Sequence, residues 1–219
     1  MSESPTTGTH THDHDHDEPI RPEDMDWDER YRTEDQLWSG QVNGSLADEV
    51  TDLAPGRALD VGCGEGADAI WLAERGWTVT ALDIAPTAIE RGRAEAERRD
   101  LSIDWHAADL LVTPPTGGFD LVSLQYPAFA IDRRDDVIRA LTSALAPGGL
   151  MLLVGHAPPE DPAALPFDPA DWVQPADIVE ALPSGFTVEL DETRPRPGDH
   201  HHHAGSPHLE DVVVRIVRR

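Results

Sequence analysis

Lysine is absent from this chain, and cysteine occurs once, at Cys63. All 17 basic residues are arginines, set against 42 acidic ones, for a formal charge of −25. A surface of that sign repels phosphate backbones at long range, which disfavours nucleic-acid partners. A single cysteine cannot close an intramolecular disulfide and is compatible with a reducing cytosol. Long apolar runs are missing as well: no stretch approaches the roughly 20 consecutive apolar residues that a membrane-spanning helix needs. The first residues carry neither the basic nor the apolar region of a secretory leader, so the expected location is the cytoplasm. With 219 residues and 39% hydrophobic content, the chain can bury one α/β core and leave a polar tail.

What is present is concentrated at residues 59–66, Leu-Asp-Val-Gly-Cys-Gly-Glu-Gly, and at Asp83, which closes an apolar run 21 residues after Gly62. Glycines at alternate positions let the backbone leave a strand tightly, pass close to a ligand and enter the helix Ala67–Arg75 with its amides pointing outward. A carboxylate at the end of the next strand can accept two hydrogen bonds from a ribose diol. Together these point to a nucleoside cofactor. Gly62, Gly64 and Ala67 also satisfy the loose fingerprint G-x-G-x-x-G/A, so glycine spacing alone leaves a dinucleotide open. Asp60 weighs against that: two residues before the first glycine, it would repel a pyrophosphate. A ligand with an ammonium and a sulfonium but no phosphate would tolerate it.

The pattern Asp60-x-Gly62-x-Gly64-x-Gly66 with Asp83 resembles motif I and its acidic successor in class I S-adenosylmethionine (SAM) methyltransferases. Ala107-Ala108-Asp109-Leu110 resembles the family segment whose acid meets the adenine amino group, and Phe119–Leu124 resembles the fourth strand. Leu145-Ala146-Pro147-Gly148-Gly149 followed by Leu150–Gly155 is similar to the family's Pro-Gly-Gly turn and fifth strand. Trp27, Tyr31 and Trp38 resemble the small-molecule branch that includes tellurite-resistance and thiopurine methyltransferases. The resemblance implies an α/β, Rossmann-like fold with a doubly wound seven-stranded sheet, mostly parallel with a C-terminal antiparallel hairpin. It implies SAM as cofactor and in-line methyl transfer to a small-molecule nucleophile. Gly62, Gly64 and Gly66 would approach the methionine portion, Asp60 its ammonium, Asp83 the ribose hydroxyls, Ile84 the adenine face, and Asp109 with Leu110 the adenine amino edge.

Along the chain, residues 1–22 are poor in apolar side chains and rich in Ser, Thr, Pro, His and Asp, the composition of a disordered tail. Residues 23–219 form the expected domain. Helices are expected around Glu23–Arg32 and over Leu46–Leu53, the second capped by Ser45. From Arg57 the elements alternate: strand Arg57–Val61, helix Ala67–Arg75, strand Thr78–Asp83, helix Thr87–Arg99, short strand Ser102–His106, strand Phe119–Leu124 and helix Arg133–Ala146. Alternation of this kind implies a parallel, doubly wound sheet that binds ligands beyond its carboxyl edge. A further helix is expected around Pro175–Leu182. Phe186–Leu190 and Asp211–Val217 have no helix between them and should pair as an antiparallel hairpin.

Acceptor chemistry is less distinct. Some amino-group methyltransferases end the fourth strand in Asn/Asp-Pro-Pro-Tyr/Phe, whereas this strand runs out as Gln125-Tyr126-Pro127-Ala128-Phe129. That departure lowers the case for adenine or glutamine N-methylation and favours a soft nucleophile such as a thiolate or reduced metalloid, for which proximity and alignment supply most of the catalysis. Candidate pocket residues are Tyr31, Trp38, Gln125, Tyr126 and His156, the last as a base or as a structural histidine. The Pro-rich stretch Ala157–Asp171 could form a lid. His10, His12, His14 and His16, and His200–His203 with His208, make two tracts that could bind Zn²⁺ or Ni²⁺ weakly, although their spacing is not that of a rigid site and no catalytic metal is expected. An NAD-linked oxidoreductase and a noncatalytic metal-handling protein stay as alternatives, and both monomer and homodimer stay open.

Overall fold

The computed structural model describes residues 20–34, 37, 39–115, 117–158, 165, 167–196 and 210–219. After a 3₁₀ turn at Pro22–Asp24 come helices α1 (Trp27–Thr33) and α2 (Gly44–Val50), then β1 (Arg57–Val61), α3 (Ala67–Glu74), β2 (Thr78–Asp83), α4 (Pro86–Arg98) and β3 (Asp104–Ala107). The chain continues through β4 (Phe119–Gln125), α5 (Arg134–Ala144), β5 (Leu145–His156), α6 (Pro175–Glu180), β6 (Phe186–Pro195) and β7 (Glu210–Arg218). Seven strands form one sheet in the order β3-β2-β1-β4-β5-β7-β6. The pairs among β1 to β5 are parallel, while β7 runs antiparallel to both β5 and β6. The expected doubly wound sheet with its terminal hairpin is thus the observed one.

The central strands are apolar on both sides, as a sheet covered on two faces requires. On one face Leu59, Val61, Val122, Leu124, Met151 and Leu153 meet Val137, Ile138 and Leu141 of α5 and Ile178 of α6. On the other, Ala58, Val79, Ala81, Leu121, Leu152 and Val154 meet Leu46 and Val50 of α2 and Ala69 and Leu72 of α3. Parallel pairing sets the carboxyl ends of β1, β2 and β4 side by side, and the antiparallel register brings Asp211 opposite His156 at the same edge. No helix among the described residues is long and apolar enough to cross a membrane.

Several local expectations are corrected. Helix α2 is capped by Asn43, whose side-chain oxygen accepts from Ser45 N at 2.8 Å and Leu46 N at 3.3 Å. Ser45 instead lies inside the helix, buried. Asn-Gly-Ser offers two cap residues, and burial of the serine selects the asparagine. Strand β5 begins at Leu145, because the Pro147-Gly148-Gly149 turn is looped out within it: Phe119 faces Leu145 and Leu121 faces Leu150. Strand β3 starts two residues later than expected, at Asp104.

Candidate cofactor and acceptor site

At the end of β1 the chain turns through Gly62, Gly64 and Gly66, with φ of 66°, 53° and 81°. Left-handed backbone of this kind suits glycine. The loop's amides, however, are largely spent within the protein. Gly62 N and Cys63 N both donate to Leu82 O (2.8 and 3.1 Å), Gly64 N to Asp83 Oδ2 (2.8 Å) and Gly66 N to Cys63 O (2.9 Å). The loop itself therefore offers few amides to a phosphate, and the outward amides expected at the start of the following helix are a separate matter.

The glycines also differ in role. A methyl group on Gly62 would meet nothing within 4 Å, so its α-carbon faces open space at the strand end. One on Gly66 would come within 2.3 Å of the Trp105 ring, which also packs on Gly92. Gly66 thus serves the packing of β3 under α3 and α4, and its expected approach to the cofactor's methionine portion is not supported. Gly66→Ala is expected to destabilise folding by roughly 2–4 kcal/mol, combining left-handed strain with overpacking. Gly62→Ala should cost only roughly 1–2 kcal/mol of strain yet weaken SAM binding at least about tenfold. Denaturant titration and calorimetry separate the two, and wild-type affinity in Gly62→Ala would remove Gly62 from the cofactor surface.

Three carboxyls surround the loop. Asp60 is 2% exposed, and its Oδ2 has no hydrogen-bond partner. Burial, then the charges of Asp68 and Asp83, push its carboxyl well above the usual range. Asp68 is pushed up to about 6 by burial, against the Asn43 amide that donates to it at 2.6 Å. Asp83 is raised by burial and partly restored by the amides of Ala85 and Gly64, each at 2.8 Å. The Cys63 thiol is likewise raised by burial and by these acids, which suits a packing residue rather than a nucleophile. Such a cluster disfavours anions and gains from a cation.

Beyond Asp83, Ile84 is 57% exposed, an apolar surface at the strand end. Asp109 closes a turn by accepting from Leu111 N at 2.8 Å. Leu110 is 2% exposed and its side chain packs in the main core, which leaves its backbone as the part that can meet a ligand. Val112, in the same turn, is 77% exposed; one apolar residue in a loop carries no periodic signal in the sequence.

The acceptor candidates are only partly brought together. Tyr31, 3% exposed, packs with Ala85 and Ala88 where α4 begins, fastening α1 beside the cofactor edge. Trp38, both histidine tracts and residues 159–164 and 166 of the expected lid lie outside the described residues. Gln125, Tyr126 and His156 do converge. The rings of Tyr126 and His156 stack at 4.2 Å and 19°, and the Tyr126 hydroxyl donates to Asp211 Oδ2 at 3.0 Å. Arg196 Nη2 donates to His156 Nδ1 at 2.7 Å and, with Nε, to Asp211 Oδ1. With Nδ1 accepting, a neutral imidazole keeps its proton on Nε2, which corrects the reading of His156 as a base. Arg196 and Asp211 had no signal in the sequence. Among the described residues, no cluster of His, Cys, Asp and Glu could hold a metal ion.

Residues 58–149 match the methyltransferase domain family. The segment similar to a methyltransferase domain is therefore the one that carries Asp60, the glycine loop, Asp83 and Asp109. 2-Heptyl-1-hydroxyquinolin-4(1H)-one methyltransferase of Mycobacteroides abscessus is 35% identical over 117 residues, 52% of this chain and 50% of that one. Demethylmenaquinone methyltransferase of Thermus thermophilus is 34% identical over 115 residues, 51% and 52% of the two chains. The chain spans about half the length of the curated relatives it matches. Among solved structures, one from a study of the conversion of a disulfide bond into a thioacetal group during echinomycin biosynthesis aligns with TM-score 0.71 and 27% identity over 88% of this chain and 90% of that one. NodS, an N-methyltransferase of Bradyrhizobium japonicum in complex with S-adenosylhomocysteine (SAH), aligns with TM-score 0.61 at 21% identity, over 87% and 86%. TehB of Haemophilus influenzae aligns at 0.63 and 18%, over 81% and 62%, a likeness of fold.

Proposed function

We propose that the protein transfers the methyl group of SAM to a soft nucleophile on a small molecule, sulfur foremost. The observation that carries this reading is the glycine loop: four of its amides are consumed internally, beside three carboxyls raised by burial. That suits a ligand with an ammonium and a sulfonium and opposes the pyrophosphate of NAD. When bound, SAM supplies an electrophilic methyl on a sulfonium. Asp60, with an unpartnered buried oxygen, and Asp68 hold the ammonium by charge. Asp83 spends two of its roughly four lone-pair sites on amides and keeps the others for the ribose diol. Ile84 covers adenine, and Asp109 meets its amino group.

On the acceptor side, Gln125 and Tyr126 orient the nucleophile, with Tyr31 closing the edge behind them. His156 is engaged through Nδ1. A thiolate suits that edge, since it needs no deprotonation and relies on alignment with the methyl group. The structure from the echinomycin study comes from work on the conversion of a disulfide bond into a thioacetal group, and that sulfur chemistry supports the same class.

Calorimetry is expected to find one SAM or SAH per chain and no comparable affinity for NAD. A screen with labelled SAM over thiols, selenite, tellurite and small phenols should show turnover first among the thiols and metalloids, undiminished by strong chelator. Tighter binding of NAD than of SAM would overturn the assignment. Activity confined to phenols would overturn the acceptor class and leave the cofactor reading standing.

A further inference from the structure

Two non-glycine residues among those described have a left-handed backbone, Asp100 at φ 57° and Tyr126 at φ 51°. Asp100 follows the C-terminus of α4, where Asp tolerates this conformation. Tyr126 has no such excuse. A bulky residue at positive φ is strained and persists only where its surroundings over-determine it. The strain sits where β4 ends, beside the proposed acceptor position.

Four contacts impose it. Tyr126 N donates to Val154 O at 2.6 Å, its ring stacks on His156, its hydroxyl reaches Asp211, and the Arg196 guanidinium lies 5.2 Å from its ring centroid. Apart from Tyr126 itself, Arg196 is the member of this group seen to touch the other three side chains. Its Nη2 serves His156 and Asp211 together, its Nε reaches Asp211 again, and its carbon lies over Tyr126. Asp211 is fully buried, so the guanidinium is also its charge partner. Next to Tyr126, Gln125 has its amide nitrogen tied to Ser123 Oγ at 2.7 Å, while its Oε1 is buried without a partner. Ser123 in turn stands in register with Asp60. The strained turn at Tyr126 therefore decides where a hydrogen-bonding amide is held, one strand over from the cofactor acids.

We propose that Arg196 is a positioning residue: by bridging His156, Asp211 and Tyr126 it locks the left-handed turn and thereby fixes Gln125 toward the methyl acceptor. The role in turnover rests on the methyltransferase reading above; the lock itself does not. Lysine cannot replace the fork, because one ammonium cannot serve a carboxylate and a ring nitrogen in a common plane while covering an aromatic face.

The test uses the full chain with 3-fluorotyrosine. Only two tyrosines are present, so two fluorine signals are expected, assigned with Tyr31→Phe. Arg196→Lys, which keeps the charge beside Asp211, should shift or broaden the Tyr126 signal and leave that of Tyr31 in place. With thiophenol as probe acceptor, it should lower kcat/KM at least about tenfold, mainly in kcat, with SAM affinity within about twofold of wild type. Arg196→Gln combined with Asp211→Asn, an uncharged pair, should give the same split if Arg196→Lys folds poorly. An unmoved Tyr126 signal would overturn the lock. A displaced signal with unchanged kcat/KM would overturn its role in positioning. If the wild-type protein bound neither SAM nor SAH, the methyltransferase reading would fail while the fluorine spectrum still decided the lock.

Discussion

Asp83→Ala is expected to lose both cofactor and loop. Its carboxylate accepts from Gly64 N and Ala85 N, and both amides lose that acceptor once it is gone. Orphaning a buried amide costs roughly 1–3 kcal/mol, and hydrogen bonds to a charged group contribute about 1.5–3 kcal/mol. Relief of the buried charge offsets part of the first cost, for a net loss of about 2 kcal/mol in folding and a fall of about 4–8 °C in Tm. SAM affinity should fall more than about 100-fold, because the ribose contact and the loop shape go together. Scanning calorimetry and titration with SAH test the two halves. A lower Tm with unchanged affinity would make Asp83 a loop brace alone.

The second large effect is one of pH. Asp60 and Asp68 are both raised in the folded protein, Asp68 to about 6, so the fold binds their protons more tightly than the unfolded chain does. Their contribution to the stability of the ligand-free protein is therefore fully present below about pH 4, the unperturbed carboxyl range, and is lost as pH rises through about 6 for Asp68. A cationic ligand prefers them ionised. SAM affinity is accordingly expected to weaken as pH falls through about 6, by up to roughly tenfold per unit for each proton taken up. Asp68→Asn should flatten that slope. Asp60→Asn should raise the Tm of the free protein by a few degrees near neutral pH and cut SAM affinity by more than about 30-fold. Asp28, lowered by the Thr87 amide and Arg32, and Glu49, held low by Arg215 and Arg194 against burial, act in the opposite direction on overall stability. The comparison with Asp68→Asn isolates the acids at the loop. An equal slope in wild type and variant would show that these acids do not face the ligand.

Much of the cofactor side was legible before any coordinates. Asp60, three glycines and Asp83 are joined by short stretches of chain, and alternating apolar runs announce the strands between them. Their detailed duties were not. The sequence does not say that Gly64 N would turn to Asp83, nor that Gly66 makes room for Trp105, since both partners arrive from other strands. The burial of the Leu110 side chain is decided in the same way, by a core cluster assembled from several strands and helices.

The acceptor side depended on tertiary structure almost entirely. Arg196 and Asp211 have no motif, and they meet because the antiparallel hairpin sets Arg194 opposite Asp211, and β5 sets His156 opposite it from the other side. The sequence by itself determined the order of strands and helices, the acidic glycine turn and thereby the cofactor class, because periodicity, glycine at positive φ and a carboxylate at a strand end act within a few residues of one another. Tertiary structure alone decided which amides stay available, which carboxyls are buried together and which side chains form the acceptor edge, because burial and hydrogen-bond partners depend on segments that meet only when the sheet closes.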